Sequence, residues 1–393
     1  MHILLIPSWY PTHPDDINGV FFREQALALA RHGHRVGVIH LQLRSLRAWN
    51  TIFSGKRGIS QEIDVSLPTL RAHGIAWFPR VPYANTWLWV RHGLRLYDRY
   101  IKQYGPPDLL HVHSMLNAGV LAQAIQRRHG TGYVVTEHFS GYARGTLKSE
   151  QLRTAAKVAH GAARRFAVSQ PFCQLLQQML GFEAGDWEEM PNIVEQRFLM
   201  RPLPVPKTLD GRFRFVTVAL LTEKKGVHNL IRAFAQAYPD EAGVTLDIGG
   251  DGPERSYLER LAGDMGVANR VRFLGALNRD QVADAMAGAD AFVLASRYET
   301  FGVVVIEALA LGKPVIATRC GGPEAIVREQ DGLLVPTDNI ESLAMAMRQV
   351  RSDANSYQAK DIRARCRERF SEQAVVRRLT DAYADLLQTG AGA

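Results

Sequence analysis

The sequence contains little cysteine and no long apolar run. Its three cysteines, Cys173, Cys320 and Cys366, are scattered among 393 residues without metal-site spacing, so we interpret them as reduced thiols. No apolar stretch approaches the ~18 residues of a membrane-spanning helix, and the start, Met1–Pro7, lacks the basic segment of a signal peptide. An Asp-X-Asp triplet and a Gly-x4-Gly-Lys phosphate loop are also missing. These absences predict a cytoplasmic protein that works without a metal ion.

Charge is distributed unevenly along the chain, whose formal net charge is +8. The residues up to Val205 include 23 Lys/Arg against 14 Asp/Glu, whereas the remainder contains 24 against 25. All six tryptophans and twelve of the thirteen histidines also lie in the first half. Two halves that differ this much are expected to be two domains with different partners.

Short apolar runs alternate with helical patterns in both halves, which predicts an α/β protein with parallel, doubly wound sheets. Residues 44–104 fit this rhythm poorly and are interpreted as a functional insertion, and the proline-rich stretch 201–206 is interpreted as a stiff linker. Ligands bind beyond the carboxyl ends of the strands in such sheets. The predicted strands are Ile3–Ile6, Arg35–His40, Leu109–His113, Tyr133–Thr136, Phe166–Val168, Arg214–Ala219, Val244–Ile248, Arg270–Leu274, Asp290–Leu294, Pro314–Ala317 and Gly332–Val335.

Two glutamates, Glu299 and Glu307, are the most informative residues of the sequence. Glu299 follows a predicted buried strand, and Glu307 lies inside the apolar helix predicted over Phe301–Leu311. A carboxylate inside an apolar helix needs a partner, and a strand end followed by a glycine turn and a helix start is suited to hold an anion. Carboxylates beside an anion site suggest hydroxyl groups attached to phosphates, as in a nucleotide sugar.

A set of short motifs follows in order along residues 3–335. They are Ser8-Trp-Tyr-Pro11, Asn18-Gly19, Thr136-Glu-His138, Pro191-Asn192, Lys225-Gly226, Gly250-Asp-Gly-Pro253, Ser296 through Glu307, Gly321-Gly-Pro-Glu324 and Asp331-Gly332. Taken together, these motifs resemble those of retaining glycosyltransferases of the GT-B fold, family four (group 1 glycosyltransferases). The resemblance implies two Rossmann-like domains that face each other across a cleft.

The resemblance assigns roles to residues of the second half. It implies that Glu307 binds the nucleotide ribose and that Glu299 lies against the transferred sugar. The backbone N–H groups of Phe301, Gly302 and Val303 would face the sugar and diphosphate, and Lys225 would stabilise the leaving diphosphate. Simpler interpretations remain open: Glu299 as a helix cap, Glu307 paired internally with an arginine, and Lys225 as a solvated surface residue.

In the first half the resemblance points to His138, which would touch the transferred sugar, and to Gly19, in a loop that closes over the donor. A buried structural histidine is the alternative for His138. One departure concerns Leu220, which occupies the position of a family arginine five residues before Lys225. Lys224, Arg297 or Arg319 are the candidates to supply the missing charge.

These expectations combine into one function, a metal-independent, retaining hexosyltransferase of cell-surface polysaccharide synthesis. It would move a hexose-type sugar from a nucleoside-diphosphate sugar to a glycan or lipid-linked acceptor. We expect an acceptor-side domain over 1–203, a nucleotide-sugar domain over 207–370 and a final helix within 371–393 that packs on the first domain. A non-catalytic nucleotide-sugar-binding homologue and a sugar-nucleotide epimerase stay open as alternatives.

The basic and aromatic residues between 44 and 99 predict peripheral attachment to an anionic membrane surface, for which a solvated basic face is the alternative. Nucleic-acid binding is disfavoured because no nucleic-acid module accompanies the charge. The residues concerned are Arg44, Arg47, Trp49, Lys56, Arg57, Arg71, Trp77, Phe78, Arg80, Trp87, Trp89, Arg91, Arg95 and Arg99.

Overall fold

The computed structural model describes residues 1–12, 16, 19–45, 58–77, 82–203 and 212–390. Two compact units form, Met1–Pro191 with Val375–Ala393 (unit 1) and Asn192–Ala374 (unit 2). Residues 192–203, expected in the first domain, belong to unit 2, and the final helix contributes its residues from Val375 onward to unit 1. Several sequence predictions fall outside the described residues: Asn18, Arg47, Trp49, Lys56, Arg57, Phe78, Arg80 and the linker residues 204–206.

Unit 1 is built on an eight-stranded sheet of order β3-β4-β2-β1-β5-β6-β7-β8, in which every neighbouring pair except β3–β4 is parallel. Its strands are β1 (His2–Pro7), β2 (Arg35–Ser45), β3 (Gly58–Asp64), β4 (Leu67–Ala76), β5 (Leu109–His113), β6 (Tyr133–Glu137), β7 (Arg164–Ala167) and β8 (Glu188–Glu189). Its helices before the unit boundary are α1 (Val20–Arg31), α2 (Pro82–Tyr104), α3 (Val120–His129), α4 (Ser149–Gly161) and α5 (Gln170–Leu180).

The sequence analysis interpreted the segment 44–104 as a functional insertion, but its described part belongs to the fold of unit 1. It supplies β3, β4 and all of α2, and β4 pairs in parallel with β2 along eight residues. The edge strand β3 pairs antiparallel with β4 and is only partly buried, which departs from the all-parallel prediction. An edge strand that buries little apolar surface lacks the continuous apolar run by which the buried parallel strands were found.

Unit 2 contains a six-stranded, fully parallel sheet of order β11-β10-β9-β12-β13-β14. The strands are β9 (Phe213–Val218), β10 (Val244–Gly249), β11 (Val271–Gly275), β12 (Ala291–Leu294), β13 (Val315–Thr318) and β14 (Gly332–Val335). The helices are α6 (Gln196–Met200), α7 (Val227–Ala237), α8 (Arg255–Asp264), α9 (Arg279–Ala287), α10 (Val303–Ala310), α11 (Pro323–Ile326), α12 (Ile340–Ser352) and α13 (Ala359–Phe370), followed by α14 (Glu372–Gly390) at the unit boundary.

The order of the strands in unit 2 reverses between β9 and β12, which are neighbours although two strands, β10 and β11, lie between them in sequence. Such a switch point places two strand-to-helix loops side by side at the carboxyl edge. Gly226, at the end of the loop after β9, has φ +63°, and a Cβ at this position would lie 2.0 Å from the carbonyl oxygen of Ala295. The two loops therefore meet only because residue 226 has no side chain.

We predict that Gly226→Ala lowers the free energy of unfolding of unit 2 by about 3 kcal/mol, because the left-handed strain of about 1–2 kcal/mol adds to a backbone clash. Gly266→Ala is the matched control, since Gly266 has φ +71° and open space around it. The control is expected to lose only about 1–2 kcal/mol in the same denaturant titration. Equal losses in the two variants would contradict the close approach of the loops.

Candidate functional site

Lys225 and Glu299 form an ion pair at the carboxyl edge of the unit 2 sheet. Lys225 Nζ lies 2.6 Å from Glu299 Oε1, and the Ser296 hydroxyl donates to the same oxygen at 2.7 Å. The two side chains are only 20% and 15% exposed, so Lys225 is not the freely solvated surface residue considered as an alternative. The pair places an ammonium group and a carboxylate together after adjacent strands β9 and β12.

Backbone hydrogen bonds hold the three loops of this edge together. The Arg297 N–H donates to the Lys224 carbonyl at 2.8 Å, and the Glu299 N–H donates to the Cys320 carbonyl at 2.9 Å. Glu324 of the Gly321-Gly-Pro-Glu324 motif accepts the N–H groups of Cys320 and Gly321. The Lys225–Glu299 pair is therefore positioned by main chain as well as by side chains.

Helix α10 begins directly after this pair. Gly302 is its N-cap residue with φ +100°, and no side chain caps the helix, so Glu299 is not the helix cap considered as an alternative. Phe301 is buried and packs its ring against Phe370, with ring centroids 5.8 Å apart. An uncapped first turn offers N–H groups and the positive end of the helix dipole to an anion, and Val303 is its first residue.

Glu307 lies one turn further along α10 and is 1% exposed. Its Oε1 accepts a hydrogen bond from Arg279 Nη2 at 2.5 Å, so the internal arginine partner that the sequence left open is present. Its Oε2 is buried and has no hydrogen-bond partner among the described residues. Burial raises the pKa of Glu307, and the charge of Arg279 partly offsets this. Arg279 was missed in the sequence; the available signal was an arginine in the first turn of a helix, where the dipole disfavours a cation.

The position of the missing family arginine is solvent-exposed, since Leu220 is 53% exposed. Of the proposed substitutes, Arg297 is engaged by two acids, with Nε 2.8 Å from Asp338 Oδ1 and Nη1 2.8 Å from Glu223 Oε1. Arg319 is exposed at the end of β13. The geometry therefore does not identify a single replacement for the absent guanidinium.

The predicted residues His138 and Gly19 lie in unit 1, and the other six lie in unit 2. Both adjoin Phe22, whose ring centroid is 4.8 Å from that of His138 and whose ring approaches the Cβ position of Gly19. Gly19 has φ +76°, and a Cβ there would lie 2.9 Å from the Trp9 carbonyl oxygen. The loop between β1 and α1 thus needs glycine at this position.

His138 is part of a buried group of histidines at the carboxyl ends of β5 and β6. Its Nε2 lies 3.2 Å from His113 Nδ1, while its Nδ1 has no partner among the described residues. His111 pairs with Thr136 Oγ1 at 2.8 Å and with the Tyr383 hydroxyl of α14 at 2.6 Å. Burial lowers the pKa of His111 to about 3 and holds the pKa of His113 and His138 well below the usual range. His138 is therefore a neutral imidazole at physiological pH.

The described part of the chain contains no group of three or more His, Cys, Asp or Glu side chains arranged to hold a metal ion. The three cysteines are buried and form no disulfide. Among the helices described, none is both long and apolar enough to cross a membrane.

Two family models match the chain. One, described as glycosyl transferases group 1, matches residues 204–371, and the other, described as glycosyltransferase family 4, matches residues 19–197. The chain belongs to the group 1 glycosyltransferases. The family inferred from the motifs is thereby confirmed, and the two matches together span most of the sequence.

The relatives align with different fractions of this glycosyltransferase. The lipopolysaccharide core biosynthesis glycosyltransferase LpsE of Rhizobium meliloti is 36% identical over 204 residues, 49% of this chain and 53% of that protein. The chain thus aligns with about half the length of this relative. Glycogen synthase of Mycobacterium tuberculosis is 26% identical over 399 residues, 98% of this chain and 94% of that protein.

Solved structures agree with the fold of the glycosyltransferase. Sucrose-phosphate synthase from Thermosynechococcus elongatus has a TM-score of 0.76 at 21% identity and covers 99% of this chain and 100% of its own. Anabaena Alr3699/HepE, solved in complex with UDP, has a TM-score of 0.73 at 20% identity and covers 98% of this chain and 100% of its own. The predicted fold class, GT-B with two Rossmann-like units, is confirmed.

The buried histidines predict that acid destabilises unit 1. A histidine whose pKa is lower in the folded state contributes its full stability above pH ~6.5 and loses it as the pH falls towards the folded pKa. His40 and His111, each with a pKa lowered to about 3 by burial, should together lower the free energy of unfolding by about 3 kcal/mol between pH 6.5 and 5. Glu137, whose pKa is raised by burial, acts in the opposite direction.

Amide hydrogen exchange at pH 7 and pH 5, corrected for intrinsic rates, measures this loss. Protection of β5 and β6 is expected to fall at pH 5, and His111→Gln should reduce that fall. Unit 2, which carries one of the thirteen histidines, is the internal reference. Equal changes of protection in the two units would contradict the prediction.

Proposed function

We propose that the protein transfers a hexose from a nucleoside-diphosphate sugar to a glycan or lipid-linked acceptor, with retention of the anomeric configuration. The observation that carries the proposal is the 2.6 Å pair of Lys225 and Glu299 beside the uncapped start of α10. Structures of Anabaena HepE with UDP and with UDP-glucose support a nucleotide sugar as the donor. The names of the relatives, which concern lipopolysaccharide core and glycogen, support polysaccharide synthesis at the cell surface or in storage.

The proposed chemistry is a front-face displacement. The acceptor hydroxyl oxygen forms a bond to the anomeric carbon while the bond from that carbon to the diphosphate oxygen breaks. The proton of the acceptor hydroxyl moves to the departing phosphate, so no enzyme nucleophile is needed. Lys225 and the N–H groups from Phe301 to Val303 would stabilise the negative charge that grows on the diphosphate.

Each remaining residue keeps a proposed role. Glu299 would accept hydrogen bonds from the transferred sugar, and Glu307 would accept one from the ribose. In unit 1, His138 would contact the sugar and the loop at Gly19 would cover the donor. Unit 1 would bind the acceptor. Metal independence also belongs to the proposal, since Lys225 supplies the positive charge that a metal ion supplies in other sites.

We predict that Lys225→Met lowers kcat roughly 10²–10³-fold and weakens binding of the nucleoside diphosphate, because the leaving group loses its cation. Glu299→Gln should lower kcat without weakening diphosphate binding, because it removes the carboxylate that competes for Lys225. Donor hydrolysis and transfer are measured with UDP-glucose, GDP-mannose and ADP-glucose, with and without EDTA, and thermal shifts with the corresponding diphosphates report binding. Lys360→Met, an exposed lysine of α13, is the control.

The outcomes distinguish the proposal from its competitor. Exposed Leu220 in place of the family arginine favours, as a second candidate, a homologue that binds the donor without turning it over. Thermal shifts without hydrolysis or transfer would establish that second candidate. No shift with any of the diphosphates at millimolar concentration would overturn both.

We also propose that α2 binds an anionic membrane surface. Its exposed positions recur every four residues as Trp87, Arg91, Arg95 and Arg99, which places one tryptophan and three arginines on one face. Trp87 is 58% exposed, and the Arg91 guanidinium lies 5.3 Å from the centroid of its ring. Tryptophan beside a row of cations is suited to the headgroup region of anionic lipid.

We predict that Arg91→Glu with Arg95→Glu weakens binding to phosphatidylserine-containing vesicles by at least ~2 kcal/mol, roughly 30-fold, because each cation contributes about 1 kcal/mol near such a surface. Flotation at low and high salt measures the partition. Arg260→Glu with Arg367→Glu, at exposed positions of unit 2, makes the same change of net charge elsewhere. Equal losses in both double variants, or no binding of the unmodified protein at low salt, would overturn the membrane role of α2.

A further inference from the structure

Arg279 links Glu307 to a second acid. Its Nη2 lies 2.5 Å from Glu307 Oε1, and its Nε donates to Glu195 Oε1 at 2.7 Å. The guanidinium also lies 5.1 Å from the centroid of the Phe198 ring, and Arg197 Nε donates to the second oxygen of Glu195 at 2.7 Å. Two carboxylates and one aromatic ring thus fix the guanidinium in one orientation.

The location of Arg279 is costly unless this network compensates it. Arg279 is the first residue of α9, where the helix dipole disfavours a positive charge. Burial lowers its pKa, but the charges of Glu307 and Glu195 outweigh that effect and raise it, so the side chain stays cationic. Glu307, buried in an apolar helix, would be equally costly without a cation. Arg279 and Glu307 therefore each require the charge of the other.

The network satisfies only one oxygen of Glu307. Oε1 is bonded to Arg279, whereas the buried Oε2 has no partner among the described residues. Side chains of a helix lean towards its N-terminus, and Glu307 lies four residues after Val303. The unpartnered oxygen therefore belongs to a carboxylate that leans over the first turn of α10, where the diphosphate is proposed to bind.

We propose that Arg279 is a positioning residue for Glu307. Its bond to Oε1 keeps the carboxylate ionised and in place, and Oε2 is left to accept a hydrogen bond from a ribose hydroxyl. This inference rests on the proposed donor binding by unit 2. In this arrangement the ribose contacts one oxygen of Glu307 rather than both oxygens of a free carboxylate, because Arg279 already occupies Oε1. Glu195 acts indirectly by orienting Arg279.

The inference predicts a pH-dependent loss of ribose recognition when Arg279 is replaced. Without the guanidinium, the main offset to burial is lost and only the weaker charge effect of Arg197 still lowers the pKa of Glu307, so its carboxyl group is protonated at a higher pH. The titratable and charged groups near Glu307 or on elements packed against α10 include Arg279, Glu195, Arg197, Glu324, Arg363 and Cys366. Burial raises the pKa of Cys366 to about 12.

The experiment compares binding of UDP, GDP and ADP with that of their 2′-deoxy and 3′-deoxy forms between pH 6 and pH 9. The unmodified protein is expected to prefer a ribonucleotide roughly 10-fold over at least one deoxy form, the value of one charge-assisted hydrogen bond. Glu307→Gln should abolish the preference at every pH. Arg279→Met should show no ribonucleotide preference at pH 6 and a restored preference at pH 9. Arg279→Lys should keep the preference at pH 7.

Arg363→Met is the matched control, because Arg363 Nε donates to the Ala310 carbonyl of the same helix without touching Glu307. Its deoxy discrimination should equal that of the unmodified protein, which separates positioning of the carboxylate from general support of α10. Circular dichroism verifies that each variant is folded. Glu195→Gln provides a milder perturbation, because it leaves the Arg279–Glu307 contact in place.

Each outcome has one meaning. If nucleoside diphosphates bind but the protein shows no ribose preference, or if Arg279→Met lowers ribo and deoxy affinities equally at all pH values, the positioning role is overturned and the proposed function stands. If no nucleoside diphosphate binds the unmodified protein, the proposed function fails and this inference fails with it.

Discussion

The parallel pairing of β9 with β12 is the constraint on which the candidate site depends. These strands are neighbours at the point where the strand order of unit 2 reverses, so the loops that follow them emerge side by side. The close contact of Gly226 with Ala295 and the hydrogen bond between Arg297 and Lys224 fix the distance between these loops. Lys225 and Glu299, 74 residues apart in sequence, form an ion pair because the backbone has already brought them together.

Unit 2 contains an ion pair, Lys225–Glu299, and an ionic network, Arg279 with Glu307 and Glu195, which differ in how readily they can exchange partners. Lys225 and Glu299 are partly exposed, so a charged ligand can compete for either partner. Arg279 and Glu307 are joined to Glu195 in a network that includes a fully buried carboxylate, and removing one member of such a network leaves a buried charge that costs about 3–5 kcal/mol. The first set is therefore suited to exchange partners during turnover, and the second is suited to stay fixed.

The sequence predicted the buried strands and the neighbourhood of the site, because both follow from local patterns. Continuous apolar runs located nearly every parallel strand, and the motifs of the family resemblance assigned both Lys225 and Glu299 to the donor site. The edge strand β3 was missed because it lacks that apolar signal, and its neighbour β4 was missed because Pro68, Arg71 and His73 interrupt its apolar pattern. The contacts of Arg279 with Glu195 and Glu307, and of His113 with His138, depend on rotamers and packing between distant segments, which no local pattern encodes.

The replacement of the family arginine by Leu220 changes how charge must be distributed around a bound diphosphate. Arg297 is held by Asp338 and Glu223, so its charge is already balanced before a ligand arrives. Among the residues that the structure describes, Lys225 forms an ion pair with Glu299 alone. A diphosphate carries more negative charge than one carboxylate and would also gain the N–H groups at the start of α10, so it competes favourably for the lysine.

Release of Lys225 would leave Glu299 without its ionic partner but still bonded to Ser296. A carboxylate in that state is a strong acceptor for sugar hydroxyl groups. Binding of the diphosphate and binding of the sugar would then be coupled through one exchange of partners. An exposed arginine at position 220 would have weakened this coupling, since it could neutralise the diphosphate without freeing Glu299. With leucine at position 220, the Lys225–Glu299 pair would be the point at which the proposed donor recognition and sugar recognition meet.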